Sequence, residues 1–328
     1  MRGLKLGLAV AISVALTAYL LYSVDLTELG RQLARTHWGW VAVGIAAGLA
    51  GLFARAARWR YFFPRDVHPP GLVPAIMIGY MANNVLPLRA GEFVRIYVVA
   101  RRWRQGFWMA LATLIVERLL DSVSLVLILG VLVLSLDVPP IFRNAALVIL
   151  AIDVVGVGAL AFLAVFPATG RQILARLGRR WPALERRLAR AYDTFVSGLD
   201  GVRSVRNLPP LLAWTVVVWV LPAIAAWTTL RAVDVHLPFL GGWVVVAFVG
   251  LGISIPSAPG YIGVFHVAAA KAVELFGVNP SAGVAFALVF HASQFLMVTL
   301  VGWLYLVREG MSLSEATTRV TPADATGM

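Results

Sequence analysis

The chain has no cysteine and only two lysines, Lys5 and Lys271, and charged residues make up just 13% of it. Without thiols, disulfides, thiolate zinc sites and cysteine nucleophiles are excluded, while the redox compartment stays undetermined. Also missing are a nucleotide-binding glycine loop, an H-E-x-x-H zinc helix and a histidine–acid acyltransferase pattern. What the chain does have is apolar. Hydrophobic residues make up 60% of 328 positions and mean hydropathy is +0.84, more than a soluble core of this size could bury. The expectation is an all-α polytopic membrane protein. The net charge of +12 rests on 26 arginines. They cluster between apolar runs, which argues against a nucleic-acid-binding face and reports membrane orientation instead.

A helix needs about 20 apolar residues to cross the hydrocarbon region. Leu4 to Val24 is long enough. Its start resembles a secretory signal, but no small-x-small cleavage site lies near Val24, so an uncleaved first span is expected. A polar segment with Asp25, Glu28, Arg31 and Arg35 follows. Trp38 and Trp40 then open a second span that ends near Phe53, closed off by Arg55, Arg58, Arg60 and Arg65. Phe107 to Leu136, Ala145 to Phe166, Asn207 to about Leu230 and Ser281 to Val307 complete six. Asn207 is expected to cap its helix, with Pro209 and Pro210 in the first turn. Two regions are too short for this pattern. Leu72 to Leu86 and Phe93 to Ala100 flank Pro87 and Gly91, while Gly241 to Ile255 and Tyr261 to Phe276 flank Pro256 to Gly260. Each pair predicts a re-entrant helical hairpin, although eight or more full spans would give the same parity.

Between 167 and 207 lies an arginine-rich loop in which Ile173, Leu177, Trp181, Leu184, Leu188, Ala191 and Phe195 recur at helical spacing, interrupted by Pro182. It reads either as an ordinary connector or as an interfacial helix on anionic headgroups. With both termini inside, cytoplasmic segments would hold 20 Lys/Arg against four outside and four embedded. This bias predicts a multi-pass protein of the cell (inner) membrane with cytoplasmic termini. The order span, span, hairpin, span then occurs twice, with the hairpins opening to opposite sides. That is an inverted repeat, about 4–136 and 144–307, within one membrane domain covering 1–310, followed by a polar tail, 311–328. Such a layout favours a transporter-like body with a site where interrupted helices meet.

Ionisable groups inside a membrane are costly, so those embedded here are candidates by default. Around the first tip they are Asn83, Asn84, Arg89, Glu92 and Arg95. On the next span, Glu117, Arg118 and Asp121 follow, the two acids sharing a helical face. At the second tip the candidates are Pro256, Gly260, Gly263 and His266. Arginines beside helix N-termini suit a phosphate-bearing headgroup. Alternatively, the arginines and acids form an ion-pair lattice, or a proton- or cation-coupling site. No metal or other cofactor is expected, because no histidine or third acid accompanies Glu117 and Asp121. His266 either titrates near neutral pH or is a hydrogen-bonded helix residue.

The runs NNVLPLRAGEFVR (Asn83 to Arg95), VERLLD (Val116 to Asp121) and PSAPGYIGVFH (Pro256 to His266) resemble the signatures of a flippase-like membrane family. That family includes the transmembrane region of lysylphosphatidylglycerol synthases. The resemblance covers about residues 10 to 307. It implies a protein that moves a phospholipid or lipid-linked intermediate across the bilayer. On the reading of the embedded groups given above, those polar residues would line a cavity between the two tips. Membrane lipids with an anionic phosphate headgroup would be its partners, along with a possible second copy or lipid-modifying enzyme, and no nucleic acid. The synthases' aminoacyl-transferase domain finds no room after the last span, so synthesis of the lysyl-lipid is not expected, and with none of the catalytic motifs named above the chain is read as a non-enzyme. A glutamate often follows the family's proline–glycine motif where His266 stands, so an acidic role does not carry over. An integral-membrane enzyme or a scaffold in lipid or polyprenyl-phosphate metabolism is the alternative.

Overall fold

The computed structural model describes residues 2–22, 24–86, 90–103, 106–136, 140–178, 182–254 and 257–312. These form α1 (Arg2–Tyr22), α2 (Leu26–Ala34), α3 (Trp38–Arg60), α4 (Leu72–Val85), α5 (Gly91–Arg102), α6 (Phe107–Ser135) and α7 (Pro140–Val165). The chain continues with α8 (Pro167–Gly178), α9 (Pro182–Ser197), α10 (Asp200–Arg203), α11 (Leu208–Ala232), α12 (Phe239–Gly252), α13 (Val264–Glu274) and α14 (Pro280–Arg308). No strand occurs among the described residues. The protein is an all-α polytopic membrane protein. Among the described residues, α3, α6, α7 from Arg143, α11 and α14 are long and apolar enough to cross a bilayer. The sixth expected span, α1, has 21 residues.

The four helices of the two expected hairpins fall short. At 14, 12, 14 and 11 residues, α4, α5, α12 and α13 extend roughly 16–21 Å, against a hydrocarbon core of about 30 Å. They pack as two pairs, α4 on α5 and α12 on α13. Contacts at the ends of the bundle fix how each pair enters. At one end, Asn207 Nδ2 donates to the carbonyls of Tyr61 and Gly201, and the Phe63 and Trp103 rings meet edge to face at 6.1 Å. The end of α3, the end of α5 and the start of α11 therefore lie together. At the other end, the His37 N–H donates to the Ala232 carbonyl, and the Asp25 N–H to Ser281 Oγ. Trp227 Nε1 donates there to the Leu237 carbonyl, just before α12. The α4–α5 hairpin thus enters and leaves at the Tyr61 end, and the α12–α13 hairpin at the Ala232 end.

Each hairpin organises an apolar core. Ile76, Met77, Ile78, Val94 and Ile96 pack with Trp59, Phe62 and Leu306 toward the Tyr61 end. Val244, Val245, Phe248, Ala269 and Ala270 pack with Leu230, Phe286 and Leu132 toward the other. Within a bilayer, where lipid tails are as apolar as these side chains, such cores are held by close van der Waals packing and not by removal of apolar surface from water. At the centre of the bundle, α14 crosses both cores, whereas α7 buries only 6% of its most apolar stretch.

Three local expectations change. The polar segment after α1 is a helix, α2, capped by the Asp25 side chain and burying Leu29. Asn207 does not cap α11 through its side chain; its amide joins two segments instead. The 167–207 region is not one interrupted amphipathic helix. Pro182 opens α9, which folds back on α8, so that Arg171 pairs with Asp193 at 2.5 Å. The polar tail from 313 onward lies outside the described residues.

Candidate functional site

Glu117 lies ten residues into α6, about 15 Å from its first residue. With no exposed side-chain surface, it meets three arginines: Arg95, through Nη2 and Oε2; Arg118, at 2.9 Å; and Arg58, at 3.4 Å. One turn further along, Asp121 pairs with Arg58 at 2.7 Å, Arg55 at 3.0 Å and Arg118 at 3.4 Å. Glu92, in the first turn of α5, completes the set, 3.5 Å from Arg118 and 3.6 Å from Arg95. Among the described residues, four arginines therefore face three carboxylates, leaving one formal positive charge in excess. The Trp59 ring covers the Arg95 guanidinium at 3.9 Å, and its Nε1 donates to Thr113 Oγ1.

The network is closed on one side and open on another. Arg58 and Arg95 are fully buried, but the Arg118 side chain keeps 38% of its surface exposed. The Nε groups of Arg58, Arg95 and Arg118 and the Nη1 of Arg58 are buried without a hydrogen-bond acceptor, and Glu92 Oε2 and Asp121 Oδ1 are buried without a hydrogen bond. Buried donors of this kind are costly to leave unsatisfied.

The second tip forms a separate cluster. Gly260, Tyr261 and Gly263 all have positive φ. A Cβ on Gly260 would lie 2.7 Å from the Phe295 ring and 3.4 Å from the Asn84 carbonyl, so the two hairpin tips meet beside α14. Asn84 fastens the first tip there, donating to the Phe295 carbonyl and Thr299 Oγ1. Gly263 abuts Ser13 of α1, whose hydroxyl accepts the Ala258 N–H. His266 Nδ1 accepts the Gly263 N–H at 3.3 Å, which leaves the proton of a neutral ring on Nε2, 3.1 Å from His291 Nδ1. Phe265 stacks on His291 at 4.5 Å.

Residues 6–302 match the family described as the lysylphosphatidylglycerol synthase TM region. The chain belongs to this family. It is also 30% identical over 264 residues to a Haloferax volcanii protein named Glycosyltransferase AglD, covering 70% of this chain but 42% of that one. A UPF0104 membrane protein of Methanothermobacter thermautotrophicus is 24% identical over 268 residues, covering 76% of this chain and 78% of that protein. The chain thus spans about two-fifths of the Haloferax relative. No solved structure matches.

In this member of the lysylphosphatidylglycerol synthase TM family, the structure divides the residues singled out from sequence. Glu92, Arg95, Glu117, Arg118 and Asp121 come together in the ionic network, while Asn84, Gly260, Gly263 and His266 gather at the meeting point of the tips. Asn83 is buried against Gly91, and its Oδ1 has no hydrogen-bond partner. Arg89 and Pro256 lie outside the described residues. Arg55 and Arg58 are a correction. The sequence pattern places them in the positive loop that closes the second span, but α3 runs through Arg60 and turns both toward α6, where they pair with Asp121. Two arginines therefore leave the loop tally for the buried one. Their i, i+3 spacing opposite the i, i+4 acids of α6 was the available signal, obscured by Arg60 and Arg65 immediately after.

Proposed function

We propose that this membrane protein moves a phospholipid or lipid-linked intermediate between leaflets, its phosphate headgroup passing the ionic network while its chains stay in lipid. The observation that carries this reading is the surplus guanidinium charge beside the half-exposed Arg118, together with buried N–H donors that lack acceptors. A phosphate oxygen supplies both the negative charge and the acceptors, and a guanidinium holds it through two parallel hydrogen bonds. Family membership supports a lipid-related role. The Tyr61 end, which carries Arg101 and the arginines of α8 and α9, would face the cytoplasm of a cell membrane.

Reconstituted vesicles provide the test. Leaflet-to-leaflet movement of labelled phosphatidylglycerol is expected to slow by roughly ten- to a hundredfold in Arg118→Gln, from the loss of a charge-assisted hydrogen bond worth about 1.5–3 kcal/mol. Movement equal to the wild type would overturn the assignment. A second reading, an integral-membrane enzyme or scaffold in polyprenyl-phosphate metabolism, draws on the Haloferax relative's name. Chemical turnover of lipid in the same vesicles would favour it.

A further inference from the structure

A second concentration of positive charge lies outside the bundle. The α8–α9 hairpin forms an open cleft of about 630 Å³ lined by Arg171, Glu185, Arg186, Arg187, Ala189 and Arg190. Arg171 is held by Asp193, but Arg186, Arg187 and Arg190 are exposed and have no ion-pair partner among the described residues.

The hairpin is fixed where α7 leaves the bundle. The Tyr192 hydroxyl donates to the Pro167 carbonyl at 3.0 Å, and Arg203 donates to the Ala164 carbonyl at the end of α7. Just past the end of α9, a Cβ on Gly198 would lie 2.9 Å from Ala112 Cβ on α6. The cleft is therefore held at the level where two spans end, the headgroup region of any bilayer around them. Exposed apolar side chains run along the chain from the end of α7 onto the hairpin. Val165, Phe166, Ile173 and Leu188 are 66%, 53%, 47% and 43% exposed. Apolar side chains beside unpaired arginines are the composition of an element lying in the membrane interface.

We infer that the α8–α9 cleft binds the phosphate groups of anionic phospholipids in the adjoining leaflet, with Arg186, Arg187 and Arg190 as ligands and Phe166, Ile173 and Leu188 dipping into the acyl boundary. This site is distinct from the network on α6 and does not require that the protein move lipid.

The absence of cysteine allows one test on the full chain. An environment-sensitive fluorophore on Ile173→Cys is read in vesicles of phosphatidylcholine alone and of phosphatidylcholine with phosphatidylglycerol. Emission is expected to shift to the blue with phosphatidylglycerol and to revert in Arg186→Gln/Arg187→Gln/Arg190→Gln. The corresponding triple lysine variant, which keeps the charge, should retain the shift and so separates lost binding from lost folding. Identical emission in the two vesicles, or a shift that survives the triple glutamine variant, would refute the inference. The same shift produced by inorganic phosphate in pure phosphatidylcholine would instead assign the cleft to a soluble anion and overturn the lipid assignment.

Discussion

Glu117 meets three arginines of the ionic network, as Asp121 does, and of the network's carboxylates it is the one with no exposed side-chain surface. Replacing it by glutamine removes the charge and leaves Arg95 and Arg58 buried with fewer acceptors, and breaking such a pair costs about 3–5 kcal/mol. Glu117→Gln is accordingly expected to unfold well below the wild type in a detergent melt, and an unchanged melting temperature would show that the buried charges do not depend on it. A contrasting residue is Asp25, exposed at the start of α2. The backbone N–H groups of Glu28 and Thr27 donate to its carboxylate and hold its pKa below the usual 3.8. The sign follows from that lowering: the cap contributes fully above 3.8 and is lost as pH falls through the lower folded value. Asp25→Ala is expected to weaken amide-exchange protection of α2 at neutral pH, with the difference from wild type disappearing in strong acid. Charge at the single-residue level was readable where a group sits deep in an apolar run, as Glu117 does. It was misread where the helix simply continued into its basic end, because nothing local distinguishes Arg58, fully buried, from Arg60, exposed.

Among the elements, the α4–α5 hairpin depends on two glycines. A Cβ on Gly91 would lie 2.0 Å from the Gly79 carbonyl and 2.5 Å from Asn83 Oδ1, so α4 and α5 touch backbone to backbone. Gly91→Ala must push them apart, at a cost of at least about 1–3 kcal/mol by analogy with other overpacked sites. Because Arg95 and Glu92 ride on α5, the same change should disturb the network. Earlier proteolysis in the hairpin and slower lipid movement together are expected, and wild-type behaviour in both would contradict this packing. The arms themselves were legible, since 14 and 12 residues cannot cross a bilayer. Their docking was not. Asn84 finds its acceptors 211 and 215 residues away on α14, a pairing that no periodicity within either segment encodes. The α8–α9 fold-back was hidden for a related reason, because hydrophobic spacing marks a face without saying what covers it.

At the scale of the whole molecule, the two hairpins give the bundle its polarity. Phe63 and Trp103 meet at one end, and His37 bonds to Ala232 at the other. Residues on either flank of the first hairpin must therefore reach the same aqueous phase, and the loop before α12 the opposite one. Single-cysteine variants at Arg65, Arg101 and His236, all exposed, test this with a membrane-impermeant maleimide in sealed inverted and right-side-out vesicles. Arg65→Cys and Arg101→Cys are expected to label together from one face, and His236→Cys from the other. Labelling of Arg101→Cys alongside His236→Cys would mean that α4 and α5 jointly cross the membrane, and the Phe63–Trp103 contact could not then form. If the first two label in inverted vesicles only, the arginine-rich end is cytoplasmic. The half-exposed Arg118, in the first half of α6, would then lie nearer the cytoplasmic end of that helix.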